Sequence, residues 1–166
     1  MNLSFRKATS ADFDAVLTVY KDGVRSMLES GINQWDDTYP NAEIINNDIS
    51  KEELYVCLCD GVICAAYVLN CQVDEDYATG NWQYPDSNWI AMHRLCVSPL
   101  YHRKGIASAC MRNIEETALT LGYDAIHLDT FSGNPKAFSL YKKLGYSEVG
   151  DMFWSRGRFV LFEKKL

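Results

Sequence analysis

Thirteen consecutive residues, Leu95-Cys96-Val97-Ser98-Pro99-Leu100-Tyr101-His102-Arg103-Lys104-Gly105-Ile106-Ala107, run from an apolar strand through a proline break into a helix start. The first amides of a helix have no acceptor inside it, and they sit at the positive end of its dipole. Arg103 and Lys104 add positive charge there, while Gly105 and Ala107 remove bulk. Together they describe a seat for a pyrophosphate group. Glycine inside a helix costs about 1 kcal/mol against alanine. A helix running from Lys104 to Leu121 therefore gives Gly105 a steric purpose, which a closely approaching phosphate supplies.

The elements around this stretch follow from periodicity and turn residues. Leu3 to Ala8 alternates as a strand, and Thr9-Ser10-Ala11-Asp12 starts a helix through Phe13, Val16, Leu17 and Tyr20 that reaches toward Leu28 and Gly31. Asn41 caps a second helix through Ile44, Ile45 and Ile49. Leu54–Cys59 and Val62–Leu69 are β-rich and joined by Asp60-Gly61, the mark of a two-residue hairpin. The segment from Cys71 to Asn88 reads as a long surface loop. Trp89–Val97 is a strand, followed by a helix with Ile106, Cys110, Ile114, Thr117 and Leu121 as its core stripe, and then by a strand from Asp124 to Phe131. Strand, crossover helix and strand imply parallel neighbours, with ligands bound beyond the strand ends. Asn134-Pro135 opens a last helix with Ala137, Leu140, Tyr141 and Leu144 on one face, and strands near Ser147–Trp154 and Phe159–Glu163 finish the chain.

With 166 residues, 48% of them hydrophobic, the chain fits a single domain over residues 1–166. Its apolar runs are far shorter than the ~20 residues that span a bilayer, and Met1 to Lys7 lacks the order of a secretion signal. These features predict a cytoplasmic protein without a membrane partner. The six cysteines form no C-x-x-C pair and lie mostly in apolar segments, as buried free thiols do. Residues 1–100 carry 6 Lys and Arg against 15 Asp and Glu, whereas residues 101–166 carry 10 against 7. That asymmetry suits either an anionic cofactor meeting a cationic acceptor or plain solvated surface. The net charge of −6 argues against nucleic acid.

Val97-x-Pro99-x-x-His102-Arg103-x-Gly105-Ile106-Ala107, followed by Asn134-x-x-Ala137-x-x-Leu140-Tyr141-x-x-x-Gly145-Tyr146, resembles the GNAT superfamily of acyl-CoA-dependent N-acetyltransferases. The similarity is strong over residues 89–150 and extends through the order of elements. It implies an α/β (α+β) fold with a mixed, largely antiparallel sheet of about seven strands and about four flanking helices. Two parallel strands splay, and the pantetheine arm of acetyl-CoA lies in the gap. The resemblance further implies that backbone groups of Leu95, Cys96 and Val97 pair with that arm. The pyrophosphate would rest on the amides of Arg103, Lys104, Gly105, Ile106, Ala107 and Ser108, with the His102 side chain as a further cofactor contact, and Asn134 and Ala137 would lie along the pantetheine. The family's pattern usually has Gln or Arg where this chain has His102; an imidazole still donates a hydrogen bond.

By the same resemblance the activity is acetyl transfer from acetyl-CoA to a primary amine of a small molecule or peptide, by direct attack in a ternary complex with coenzyme A released. Tyr141 is the candidate catalytic acid, giving its proton to the leaving thiolate; the alternative is that it only packs. A non-catalytic acyl-CoA-binding sensor of the same fold stays open as the second reading. For a general base, His93, His127 and Asp129 lie on the two strands of interest, and each also fits a structural role. The acceptor side falls to the Trp35–Tyr39 loop, the 71–88 loop and the last strand pair. There Asp36, Asp37 and the acids at 74–76 suit a cationic amine, with Trp35, Trp82 and Tyr84 as aromatic faces. A solvated acidic surface or a homodimer contact is the other account of those residues. No metal site is expected.

Overall fold

A computed structural model describes residues 1–166. The strands β1 (Leu3–Lys7), β2 (Leu54–Cys59), β3 (Val62–Asn70), β4 (Trp89–Val97), β5 (Ala125–Phe131), β6 (Ser147–Trp154) and β7 (Gly157–Lys165) form one mixed sheet in the order β1-β2-β3-β4-β5-β7-β6. The helices are α1 (Phe13–Glu29), α2 (Ala42–Ser50), α3 (Ile106–Thr120) and α4 (Pro135–Lys143). The expected seven strands, single parallel pair and four helices are all present. By proximity the chain divides into two compact units. One comprises Met1–Leu69 with Arg94–Asn113, the other Asn70–His93 with Ile114–Leu166.

In the first unit β1, β2 and β3 run antiparallel, and Asp60 and Gly61 take φ of 50° and 85° to close the β2–β3 hairpin. Positive φ at both positions matches the right-handed twist of the flanking strands. α1 buries Val16, Val19, Tyr20, Gly23 and Val24, a stripe at helical spacing. A Cβ on Gly23 would collide with the Cys96 sulfur, so glycine lets the helix lie close against β4. The Asn41 side chain accepts from the Ile44 amide at 3.0 Å and fixes the start of α2. On α2, Ile45, Asp48 and Ile49 turn inward.

In the second unit β5, β7 and β6 are antiparallel, and the first residues of β4 pair parallel with β5 at Trp89↔Ala125, Ile90↔Ile126 and Ala91↔His127. The 71–88 segment departs from the expected surface loop. It contains a 3-10 turn over Glu75–Thr79, and Tyr77 is buried with Val149, Met152, Phe159 and Leu161. Trp82 packs on the same cluster, and the Asn81 amide donates to the Val149 carbonyl at 2.6 Å. Two large aromatics among polar neighbours had enough apolar area to anchor the segment.

The α3 stripe also differs. Ile106, Cys110 and Ile114 are buried as expected, but Met111 and Ala118 complete the face, Thr117 is only half-buried and Leu121 is exposed. The helix ends at Thr120, so Leu121 leaves the helical path. Cys57, Cys59, Cys64, Cys96 and Cys110 are buried free thiols, whereas Cys71 is exposed.

Candidate functional site

The sequence-predicted residues fall into two groups, one in each unit. In the first unit β4 bends at Arg94, which holds φ at 53°. That conformation costs a non-glycine residue about 1–2 kcal/mol, and several contacts hold it. The Arg94 guanidinium donates to the Asp48 carboxylate at 2.5 Å and to the Tyr39 hydroxyl at 3.1 Å, while the Tyr20 hydroxyl donates to the Arg94 carbonyl at 3.0 Å. Burial pushes the Asp48 carboxyl up, and the adjacent Arg94 charge opposes it. For Arg94 burial opposes the charge, but Tyr39 and Asp48 outweigh it, so the guanidinium stays protonated.

Beyond the bend, Leu95 and Val97 are half-buried and Cys96 is buried, its thiol toward the Val19 carbonyl and raised by burial to about 12. An inert thiol follows, so any contribution of Cys96 to a ligand comes from its backbone. The Ser98 amide donates to the Cys64 carbonyl at 2.9 Å, and Pro99–Tyr101 forms a 3-10 turn. His102 Nε2 lies 3.0 Å from the Val97 carbonyl, a bond that requires the proton on Nε2. The imidazole therefore fastens the turn to the strand it left. Lys104 Nζ donates to the Leu100 carbonyl at 3.0 Å and lies 4.9 Å from the Tyr101 ring centroid. Arg103 is exposed, with φ of 62°.

Helix α3 begins at Ile106, two residues later than the expected Lys104. Its opening bond runs from the Ala109 amide to the Gly105 carbonyl at 3.0 Å, which leaves the amides of Ile106, Ala107 and Ser108 without intrahelical acceptors. Gly105 precedes the helix at φ of 76°, so the reason for glycine is its left-handed backbone rather than an interior helical position. The space its Cβ would occupy is open, with no heavy atom within 4 Å. Unengaged amides, an open approach, and no acidic residue in the first turn suit a phosphate-bearing group.

In the second unit Asn134 Oδ1 accepts from the Ala137 amide at 3.2 Å and caps α4, which Pro135 opens. Asn134 and Ala137 are half-buried. Tyr141 is 6% exposed, with ring centroids 5.7 Å from Phe162 and 6.0 Å from Tyr146. Burial first and the Asp129 charge second raise its pKa, so the phenol is a protonated donor at neutral pH. The Tyr77 hydroxyl donates to Asp129 Oδ1 at 2.7 Å. His127 is sandwiched between the Trp82 and Trp89 rings, at centroid distances of 3.8 and 4.7 Å, and its Nε2 lies 3.2 Å from Glu163 Oε1. His93 is half-buried on β4.

On the acceptor side the aromatic face expected of Trp35 is absent, and other candidates have partners within the chain. Trp35 is buried in the core against Tyr20 and Tyr39, so it has no free face. Trp82 covers His127, Asp36 binds Thr38, and Asp74 caps the Asp76 amide at 3.0 Å. Tyr84 and Asp37 remain exposed. The reading by residue type missed the Asp48–Arg94–Tyr39 network. Its signal was Asp48 at the spacing of Ile45 and Ile49, a charge on the apolar stripe of a short helix.

Comparison with known proteins bears on the family and the fold. The sequence model of the acetyltransferase (GNAT) family matches residues 21–146. N-acetylaspartate synthetase of Danio rerio is 35% identical over 66 residues, which make up 40% of this chain and 23% of that protein. Human N-acetyltransferase 8 is 31% identical over 70 residues, 40% of this chain and 31% of that protein. The matched stretch thus spans less than a third of either relative. A GNAT-family acetyltransferase from Streptococcus agalactiae superposes with a TM-score of 0.89 at 21% identity, over 99% of this chain and 95% of the other. The PaiA N-acetyltransferase of Thermoplasma acidophilum, solved in complex with coenzyme A, superposes over the full length of both chains with a TM-score of 0.76 at 18% identity. The family match covers most of the sequence, the fold agrees from end to end, and this chain belongs to the acetyltransferase (GNAT) family.

Proposed function

We propose that this chain is an N-acetyltransferase that moves an acetyl group from acetyl-CoA to a primary amine by direct attack. The observation that carries the reading is the start of α3, where the Ile106, Ala107 and Ser108 amides meet an open approach beside Gly105. When bound, acetyl-CoA supplies an activated acyl group as a thioester. The backbone of Leu95, Cys96 and Val97 holds the pantetheine arm. The Val97 carbonyl keeps a second lone pair after accepting from His102, so the imidazole does not exclude such pairing.

The amides from Arg103 to Ser108 take the pyrophosphate, with the Arg103 and Lys104 side chains adding charge, while the His102 amide is held by the Pro99 carbonyl. Asn134 and Ala137 line the arm at the start of α4. Holding the thioester and amine together accounts for most of the rate, because orientation replaces a bimolecular encounter. Tyr141 gives its proton to the departing sulfur. Its buried phenol keeps that proton at neutral pH.

The test pairs binding with turnover. Asparagine tolerates the left-handed region, so Gly105→Asn preserves the backbone while placing a side chain at the seat. Calorimetry should show acetyl-CoA affinity falling at least about tenfold, the scale of one lost charge-assisted hydrogen bond. Unchanged affinity would remove the seat from α3. Thiol release across n-butylamine, spermidine, L-lysine and a peptide with a free N-terminus then tests transfer. Tight acetyl-CoA binding with no amine-dependent release would overturn it.

A further inference from the structure

We propose that Asp129 receives the acceptor's ammonium group, holding it by charge and removing one proton so that the nitrogen can attack. The inference rests on the transferase reading above. β7 pairs with β5 along its whole length, from Ala125↔Lys165 to Phe131↔Phe159, whereas β4 pairs with β5 only as far as Ala91↔His127. Asp129 is the next residue on the His127 face, just past the point where parallel pairing stops. Its backbone edge on the β4 side is therefore outside the ladder, where ligands of such strands bind, and the residue is half-buried.

The surroundings of Asp129 favour a cation. Tyr77 engages one carboxylate oxygen, Oδ1, at 2.7 Å and leaves the second for a ligand. The groups acting on the carboxylate are Tyr77 and Asp74 from the 71–88 segment, and Asp129 in turn acts on Tyr141 of α4. On its own strand the titratable neighbour is His127, and on β7 it is Glu163, opposite His127. No lysine or arginine is among them. Burial pushes Asp129 up to about 6, so it is ionised at neutral pH yet basic enough to take a proton.

Of the two other candidate bases, His93 is half-buried on β4 and His127 is engaged elsewhere. His127 lies between two indole rings with Nε2 at Glu163, and Glu163 Oε2 accepts the Gln83 amide at 2.8 Å. This clasp fastens the 71–88 segment to the sheet and brings Tyr77 to Asp129. In the reaction, the Asp129 carboxylate takes one proton from R–NH3+ and becomes the neutral acid. The freed lone pair forms the C–N bond as the C–S bond breaks. Tyr141 protonates the sulfur and recovers a proton from the new amide nitrogen, and Asp129 returns its own to solvent.

Asp129→Asn and Tyr77→Phe test the assignment in the full-length chain. The readouts are acetyl-CoA affinity and thiol release against pH, with the fastest amine of n-butylamine, spermidine, L-lysine and a free peptide N-terminus. Asp129→Asn should lower kcat about 10²-fold or more, leave acetyl-CoA affinity within twofold, and abolish the acid limb near pH 6. Tyr77 holds the carboxyl down, so Tyr77→Phe should move that limb to higher pH, a shift that a packing role alone would not produce. An unchanged rate and limb in Asp129→Asn would overturn this inference alone. Absence of amine-dependent release in the unsubstituted protein would remove the transferase reading, and this inference with it.

Discussion

Tyr141 combines a buried ring with a polar tip, and the two properties have separate consequences. The ring fills space against Phe162 and Tyr146, and burial keeps the hydroxyl protonated. Tyr141→Phe retains the ring and removes only the proton donor. Stopped-flow turnover should therefore fall about 10²-fold, with acetyl-CoA affinity unchanged by calorimetry; equal turnover would leave Tyr141 a packing residue. Its place was legible because Ala137, Leu140 and Tyr141 stand at helical spacing on α4, behind the Asn134 cap. Gly105 was legible too, but for a different cause. The residue stands before the helix, and its need for glycine is the φ of 76°, which no spacing of residue types reveals.

At the scale of elements, the turn of β4 at Arg94 organises the strand that leads to α3. Arg94 and Asp48 are 15% and 6% exposed at their side chains, so removing one strands the other charge in a poorly solvated place. Such losses run to about 3–5 kcal/mol. Arg94→Ala should lose stability of that order in urea denaturation. Arg94→Lys should recover only part of it, because an ammonium cannot reach Asp48 and Tyr39 together as the planar fork does. A loss below about 1 kcal/mol would place the pair among screened surface bridges. Boundaries of β2, β4 and β6 agree with expectation to the residue, since alternation and turn residues decide them locally. The 71–88 segment was misread because Tyr77 and Trp82 gain their partners from β5, β6 and β7, far away in sequence.

At the scale of the molecule, titrating groups act on stability in opposite directions. Asp12 is held below the ordinary carboxylate range, chiefly by its hydrogen bonds from Arg6, and its Oδ2 accepts the Thr9 amide at 2.8 Å. The unfolded chain therefore takes up that proton first, and the stability Asp12 contributes is complete above about pH 4 and lost as the pH falls further. Burial raises both Asp48 and Asp129, so the native state gains stability as they protonate, for Asp129 between about pH 6 and 4. Burial lowers His127, which loses stability as the unfolded imidazole charges below about pH 6.5. Chemical denaturation from pH 8 to 3 should show a near-level region ending near pH 4 and then a steep fall, which Asp12→Asn flattens. A steep fall already complete by about pH 5 would mean that His127 outweighs the two raised carboxyls.

The sequence by itself determined the order of elements, the strand-turn-helix start beneath the candidate phosphate seat, the cap of α4 and the placement of Tyr141. All of these depend on hydrophobic period, proline, glycine and capping side chains within a few residues of one another. Only the tertiary structure decided where parallel pairing between β4 and β5 stops, which carboxylates are buried, and which aromatics are engaged. Those outcomes depend on residues far apart in the chain, as with Tyr77 and Asp129 or Asp48 and Arg94. Burial and hydrogen-bond geometry, which set the chemistry of a carboxyl or an imidazole, arise only once distant segments have packed together.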